Sequence, residues 1–168
     1  KTSPLASSNW QSLWTEACAA DEVRATEVRV IPGSGSPFLH LDGSLVLPRS
    51  LTDQPIDERA QHLLRHESSH LAGQDPFWFV AMSFFSTMLW FHPVAWILNR
   101  QHMLACEESC DASAARLGGA KQYKASLAAL AVELIPARGA VPCMLRRKSA
   151  LLSRLEQVTH FESKSPPA

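Results

Sequence analysis

The chain has 168 residues, 46% of them hydrophobic, with 16 basic and 16 acidic side chains that cancel in formal charge. That length supports a single domain with a sizeable core, and the balanced charge excludes a basic nucleic-acid surface. The four cysteines, Cys18, Cys106, Cys110 and Cys143, lack the spacing of a small secreted disulfide scaffold and read as buried free thiols, which suits a reducing compartment.

Residues 1–8 are polar and expected to be loose. Residues 9–20 place Trp10, Leu13, Trp14, Ala17 and Cys18 at helical spacing, which predicts a core-facing helix. Residues 27–31 alternate around Val28 and Val30 and read as a strand. The run Pro32-Gly33-Ser34-Gly35-Ser36-Pro37 is a loop, without the glycine-lysine pattern of a phosphate-binding turn. Residues 38–41 and 45–47 read as a hairpin turned at Asp42-Gly43 and ended by Pro48, with His40 on the surface.

Residues 57–72 then form a helix with Asp57 as N-cap and Gly73 as its stop. It carries His66-Glu67-Ser68-Ser69-His70, an H-e-x-x-h pattern in full: H-E-x-x-H. Side chains four apart share a helix face, so His66 and His70 can aim two imidazole nitrogens at one ion. Zinc accepts such ligands and keeps a position open for water, and Glu67 is placed to take that water's proton. A polar helix face with two unrelated histidines is the ordinary origin of such a pattern, and His62 on the same helix reads as surface or as support for a ligand. Asp75-Pro76 reads as an N-cap with a first-turn proline, so Asp75 is expected to cap rather than to act in chemistry.

Residues 76–98 carry no charge, a length that on its own suggests a membrane span. Pro93 breaks it. Residues 77–91 as helix run about 22 Å, and residues 94–107 returning antiparallel run about 21 Å. The two legs cancel and bring Glu107 level with His66 and His70, while His92 stays at the far tip, about 20 Å from the ion. Glu107 and Asp111 share one helix face. One can ligate zinc while the other orients a ligand histidine, whereas Glu108 points about 100° away and is expected to be solvated. A structural zinc on Cys106, Cys110, His66 and His70 is the weaker alternative, because it leaves Glu67 without a task.

Gly118-Gly119 closes this helix, and residues 122–135 form another, with Tyr123 at the edge of the core rather than donating to an oxyanion. Residues 136–142 are a linker. Residues 144–158 form a basic amphipathic helix with Arg146, Arg147, Lys148 and Arg154 opposite Leu145, Leu151, Leu152 and Leu155, a face suited to anionic lipid or to water. Residues 162–168 are a loose tail. The chain starts at Lys1 and shows no signal-peptide pattern, so it is expected to be a piece of a longer protein.

The run His66-Glu67-Ser68-Ser69-His70, then Asp75-Pro76, then Trp90-Phe91-His92-Pro93-Val94-Ala95-Trp96, then Glu107 with Cys110-Asp111, resembles the BlaR/MecR family of membrane-embedded zinc peptidases over about residues 28–156. Where relatives often carry basic residues after the second histidine, this chain has Leu71-Ala72-Gly73-Gln74. The resemblance implies one zinc per chain on His66, His70 and Glu107, with Glu67 as general base and Asp111 holding a ligand histidine. It also implies an edge strand that aligns an extended substrate and flanking transmembrane helices at a bacterial inner membrane, with the peptidase on the cytoplasmic side. The expected fold is α+β and zincin-like, mostly helical with a small sheet before the metal helix. The expected function is hydrolysis of a protein substrate, such as a repressor or the enzyme itself. It does not imply sensing of β-lactams, since no serine motif of a penicillin-binding domain occurs in these residues. The competing readings are a metal-stabilised interaction module without catalysis and a membrane-anchoring hairpin with an empty site.

Overall fold

The computed structural model describes residues 8–116 and 119–133. The elements run α1 (Ser8–Ala20), β1 (Val28–Ile31), β2 (Phe38–Leu39), β3 (Leu45–Pro48), α2 (Arg49–Thr52), α3 (Glu58–Ala72), α4 (Asp75–Met88), α5 (Pro93–Ala115) and α6 (Ala120–Glu133). The architecture is α+β, mostly helical with one three-stranded sheet. The expected linker 136–142, the basic helix 144–158, Cys143 and the tail lie outside the described residues, as do residues 1–7.

The core forms where α1, the sheet and α3 meet. Trp10, Trp14 and Cys18 stand on one face of α1, at i, i+4 and i+8, and all three are buried. They close over Val28, Leu45 and Leu47 from the sheet and Ala60 and Leu64 from α3. Trp14 and Leu47 are fully buried side chains, each contributing on the order of 1.5–3 kcal/mol relative to exposure.

The sheet order is β1-β3-β2, so β3 is central and buried along its whole length. β2 and β3 form the expected antiparallel hairpin, but the β2 ladder covers Phe38 and Leu39 only, while His40 already belongs to the turn. Asp42 holds that turn by accepting from the Ser44 N–H at 2.9 Å, and Gly43 supplies the positive φ of +80°. A Cβ there would also crowd Leu71 of α3, so the turn rests on the metal-helix candidate. β1 pairs parallel to β3, a long-range pairing with no local signature, and Pro48 pairs with Ile31 as the last rung before α2 begins. The outer edge of β1 is covered by the Gln11 amide, which donates to Thr26 O and accepts from Val28 N–H, each at 3.0 Å.

α3 is tied down on several sides. Arg65 donates to the last carbonyls of α1, Ala17 O and Ala20 O, and pairs with Asp21 at 3.0 Å. Ser68 and Ser69 donate to the other oxygen of Asp21. The two variable positions of H-E-x-x-H therefore dock the helix onto α1. Beyond α3, α4 and the first half of α5 form a helical hairpin reversing near Trp90, where the Trp96 indole donates to Trp90 O. Its surface is unusually apolar, with Phe77, Phe84, Trp90, Phe91 and Trp96 each more than 60% exposed. No described helix is long and apolar enough to cross a membrane.

Asp57 caps α3 as expected, accepting from Ala60 N–H at 3.0 Å. Burial raises its carboxyl pKa, but the Arg59 guanidinium and the Ala60 N–H outweigh that and leave it below the ordinary value. Asp57→Ala is expected to lower unfolding stability by about 1 kcal/mol. Because the folded pKa is depressed, this contribution is complete above the unfolded value of about 3.9 and fades as pH falls through the lower folded value. Urea unfolding of the two proteins at neutral and acid pH should therefore show a gap that closes in acid.

A candidate metal centre between two helices

The spacing of the histidines on α3 builds a ladder. His62, His66 and His70 follow one another at i, i+4 and i+8 and face α5 and α6. The lowest rung, His62, is buried and bonds Ser126 Oγ of α6 at 3.0 Å, so it is a packing residue rather than a surface one. Burial holds its pKa below the ordinary histidine value. The upper two rungs converge. His66 Nε2 and His70 Nε2 face each other at 3.1 Å, and Glu107 of α5 offers its carboxylate at 3.9 Å from the first and 3.7 Å from the second. One donor atom from each of these three residues falls within a 4.8 Å cluster.

The other nitrogen of each ring is held by an acid. Asp111 Oδ1 sits 3.1 Å from His66 Nδ1 and also accepts from the Tyr123 hydroxyl at 2.6 Å. Asp75 Oδ2 sits 2.6 Å from His70 Nδ1. A carboxylate on Nδ1 keeps the proton there and leaves the lone pair on Nε2. Two Nε2 lone pairs at 3.1 Å repel unless a cation or a proton lies between them. Zinc bonds of 2.0–2.1 Å at a tetrahedral angle separate donor atoms by about 3.3–3.4 Å. The observed 3.1, 3.7 and 3.9 Å bracket that value, so these residues could hold such an ion. Burial disfavours a charged His70, but the Asp75 hydrogen bond and the nearby Glu67, Glu107 and Asp75 charges overcome it, and the His70 pKa is raised. A proton is thus the natural competitor for the same place. Both imidazoles are well shielded, whereas a third of the Glu107 side chain is exposed, so the cluster opens on that side.

Sequence reasoning named His66, His70, Glu107 and Asp111, and the structure brings all four together; Glu67 lies buried on α3 beside them. It misassigned Asp75. The N-cap of α4 is Gln74, in the left-handed region at φ +54°, and this sharp reversal turns the Asp75 carboxylate back onto His70. The only sequence cue is an acid soon after the second histidine, following a glycine. Tyr123 is buried as expected, but its hydroxyl serves Asp111, which the amphipathic pattern of α6 could not reveal. Glu108 is half-buried rather than solvated, and it is outside the donor cluster. The thiols do not join the Nε2 pair: Cys110 Sγ lies 3.3 Å from His70 Nδ1, on the ring's far side, and Cys106 Sγ lies 3.4 Å from Asp75 Oδ1. Burial, reinforced by neighbouring acids, pushes the Cys106 thiol up to about 11 and the Cys110 thiol higher still, so neither is a ready nucleophile.

Gly73 explains how little room this arrangement has. A Cβ on it would stand 2.8 Å from Asp75 Oδ1, although its backbone is ordinary helix that alanine adopts readily. Gly73→Ala is expected to push the Asp75 carboxylate off His70 and weaken metal binding at the cluster about 10–100-fold, as Asp75→Asn should. Competition titrations against a chelator would read this, with thermal unfolding of the metal-free variant unchanged or improved.

Comparison with curated proteins finds no match. The chain does match the peptidase family described as BlaR1 peptidase M56, over residues 9–158. With a helix-borne pair of histidines, an acid returned by the hairpin and a match across most of its length, this chain belongs to the BlaR1 peptidase M56 family.

Proposed function

We propose that this chain is the zinc endopeptidase domain of a membrane-bound regulatory protease, with a zincin-like site. The observation that carries the reading is the pair of Nε2 atoms 3.1 Å apart with the Glu107 carboxylate alongside and a carboxylate behind each ring. His66, His70 and Glu107 would hold one zinc ion. When bound, that ion supplies Lewis acidity, making a water easier to deprotonate and a carbonyl easier to attack.

The chain's own residues do the rest. Asp111 and Asp75 fix the ring orientations, so the two nitrogens need no reorganisation. Tyr123 in turn fixes Asp111. The Glu67 carboxylate accepts a proton from the attacking water and returns it to the departing amine nitrogen. Its burial beside the histidine face supports that role. The outer edge of β2, on the far side from β3, offers backbone groups to an extended peptide, which favours a protein substrate over a small molecule. Repressor cleavage or self-cleavage is the specific form of this reading.

The hairpin supplies the membrane seat. The 14 residues of α4 measure about 21 Å, less than the hydrocarbon core of about 30 Å. A hairpin of that length enters one leaflet and leaves the metal-site end at the headgroups, on the cytoplasmic side in this reading. Exposed aromatics at its tip, Trp90, Phe91 and Trp96, support it.

Three measurements test these points. Elemental analysis should find one zinc per chain, lost in His66→Ala and Glu107→Ala but retained in Glu67→Gln. Glu67→Gln should lower peptide-hydrolysis kcat about 10²–10⁴-fold; unchanged turnover with zinc retained would identify a non-catalytic module instead. Separately, Phe84→Glu and Ile97→Glu should each reduce co-sedimentation with phosphatidylglycerol-containing vesicles at least tenfold, given a cost of about 2.5–3.5 kcal/mol for a charge at bilayer depth. Equal sedimentation by parent and variants would remove the membrane role of the hairpin.

A further inference from the structure

α5 carries two ladders of side chains. Glu107 faces the Nε2 cluster and Asp111 the Nδ1 of His66, and one position earlier Cys106 and Cys110 form a second i, i+4 pair turned toward α4. The thiols have no task in peptide hydrolysis. Yet Cys110 is buried and meets two other metal-binding groups: its Sγ is 3.3 Å from His70 Nδ1 and 3.9 Å from Asp75 Oδ2, while those two atoms are 2.6 Å apart. The three form a donor cluster within 4.8 Å, on the opposite side of the His70 ring from Glu107.

From this geometry we infer a second cation site, formed by Cys110 Sγ, Asp75 and His70 Nδ1, that takes a thiophilic d10 ion such as Cd2+ or excess Zn2+ and loosens the first site when filled. A tetrahedral ion with bonds of about 2.3 Å to sulfur and 2.0–2.2 Å to nitrogen or oxygen separates sulfur from either by about 3.6 Å. The observed 3.3 and 3.9 Å straddle that distance. Only the 2.6 Å hydrogen-bonded pair must open, by less than about 1 Å, through a swing of the Asp75 carboxylate. A nitrogen, a carboxylate oxygen and a sulfur select a soft or borderline ion over Mg2+ or Ca2+. The incoming ion replaces the proton on His70 Nδ1 and the thiol proton of Cys110, and both leave to solvent. His70, now an imidazolate without its hydrogen bond to Asp75, lies between two cations, and their mutual repulsion loosens the first ion. The inference needs His70 to be a ligand but does not need the first site to be catalytic.

The test adds Cd2+ to the zinc-loaded full chain and follows thiolate-to-metal charge-transfer absorbance in the ultraviolet, with metal content by elemental analysis. The parent should gain one Cd2+ per chain together with the absorbance band, and its rate of zinc release to a chelator should rise. Cys110→Ser should bind zinc with the parent stoichiometry and show no band, whereas Cys106→Ser should keep the band. Asp75→Asn, which leaves the thiol in place, should need at least tenfold more Cd2+ to reach half the band. Absence of the band in the parent, its persistence in Cys110→Ser, or its loss in Cys106→Ser overturns the assignment. Exchange of Cd2+ for zinc at the first site alone would give metal replacement without thiolate absorbance, and would likewise overturn it.

Discussion

Two imidazole nitrogens held 3.1 Å apart on successive turns of one helix are the constraint around which this molecule is arranged. Two unprotonated nitrogens so close repel, and rings free to turn rotate away. Here each ring is gripped from behind by a carboxylate, one from the turn into α4 and one from α5. Each carboxylate is itself held: Asp111 by the hydroxyl of Tyr123, and Asp75 by the reversal at Gln74 and the Cys106 thiol. Three helices and one left-handed residue thus serve two nitrogen atoms.

The remainder of the fold keeps α3 from moving. The helix is closed over by tryptophans on one side and pinned through Arg65, Ser68 and Ser69 to the end of α1. The sheet contributes through the turn at Gly43, which rests against Leu71 one residue past the second histidine. Positions that look like filler within the motif are therefore fastenings. Replacing Ser68 would remove one of the two hydroxyl donors to a half-buried Asp21 oxygen, and a hydrogen bond to a charged group contributes about 1.5–3 kcal/mol.

The parts legible in the sequence were those set by local periodicity. The i, i+4 spacing of His66 and His70 follows from helix geometry alone, as does the pairing of Glu107 with Asp111. The return of Glu107 followed from adding helix rises on either side of Pro93, because an antiparallel hairpin with legs of equal length must bring its ends level. What was not legible depended on contacts between distant residues or on rare backbone states. The parallel pairing of β1 with β3 has no signature within either strand. Asp75 looked like an ordinary cap because nothing marks Gln74 for the left-handed region, which most side chains avoid. The service of Tyr123 to Asp111 depends on how α6 docks, and no pattern within α6 encodes that.

One further consequence lies in the length of α5. It is a single helix of 23 residues whose proline-led end sits at the tip of the aromatic hairpin and whose other end carries Glu107 and Asp111. No proline or glycine interrupts it after its first residue, so it has no built-in joint. A rod without a joint tilts as a whole. A sideways push on the aromatic tip therefore moves the third donor and the acid behind His66 together, while His66 and His70 stay fastened to α1. The geometry is that of a mechanical lever: its long arm lies in whatever surrounds the hairpin, and its short arm sets the distance between Glu107 and the two imidazoles.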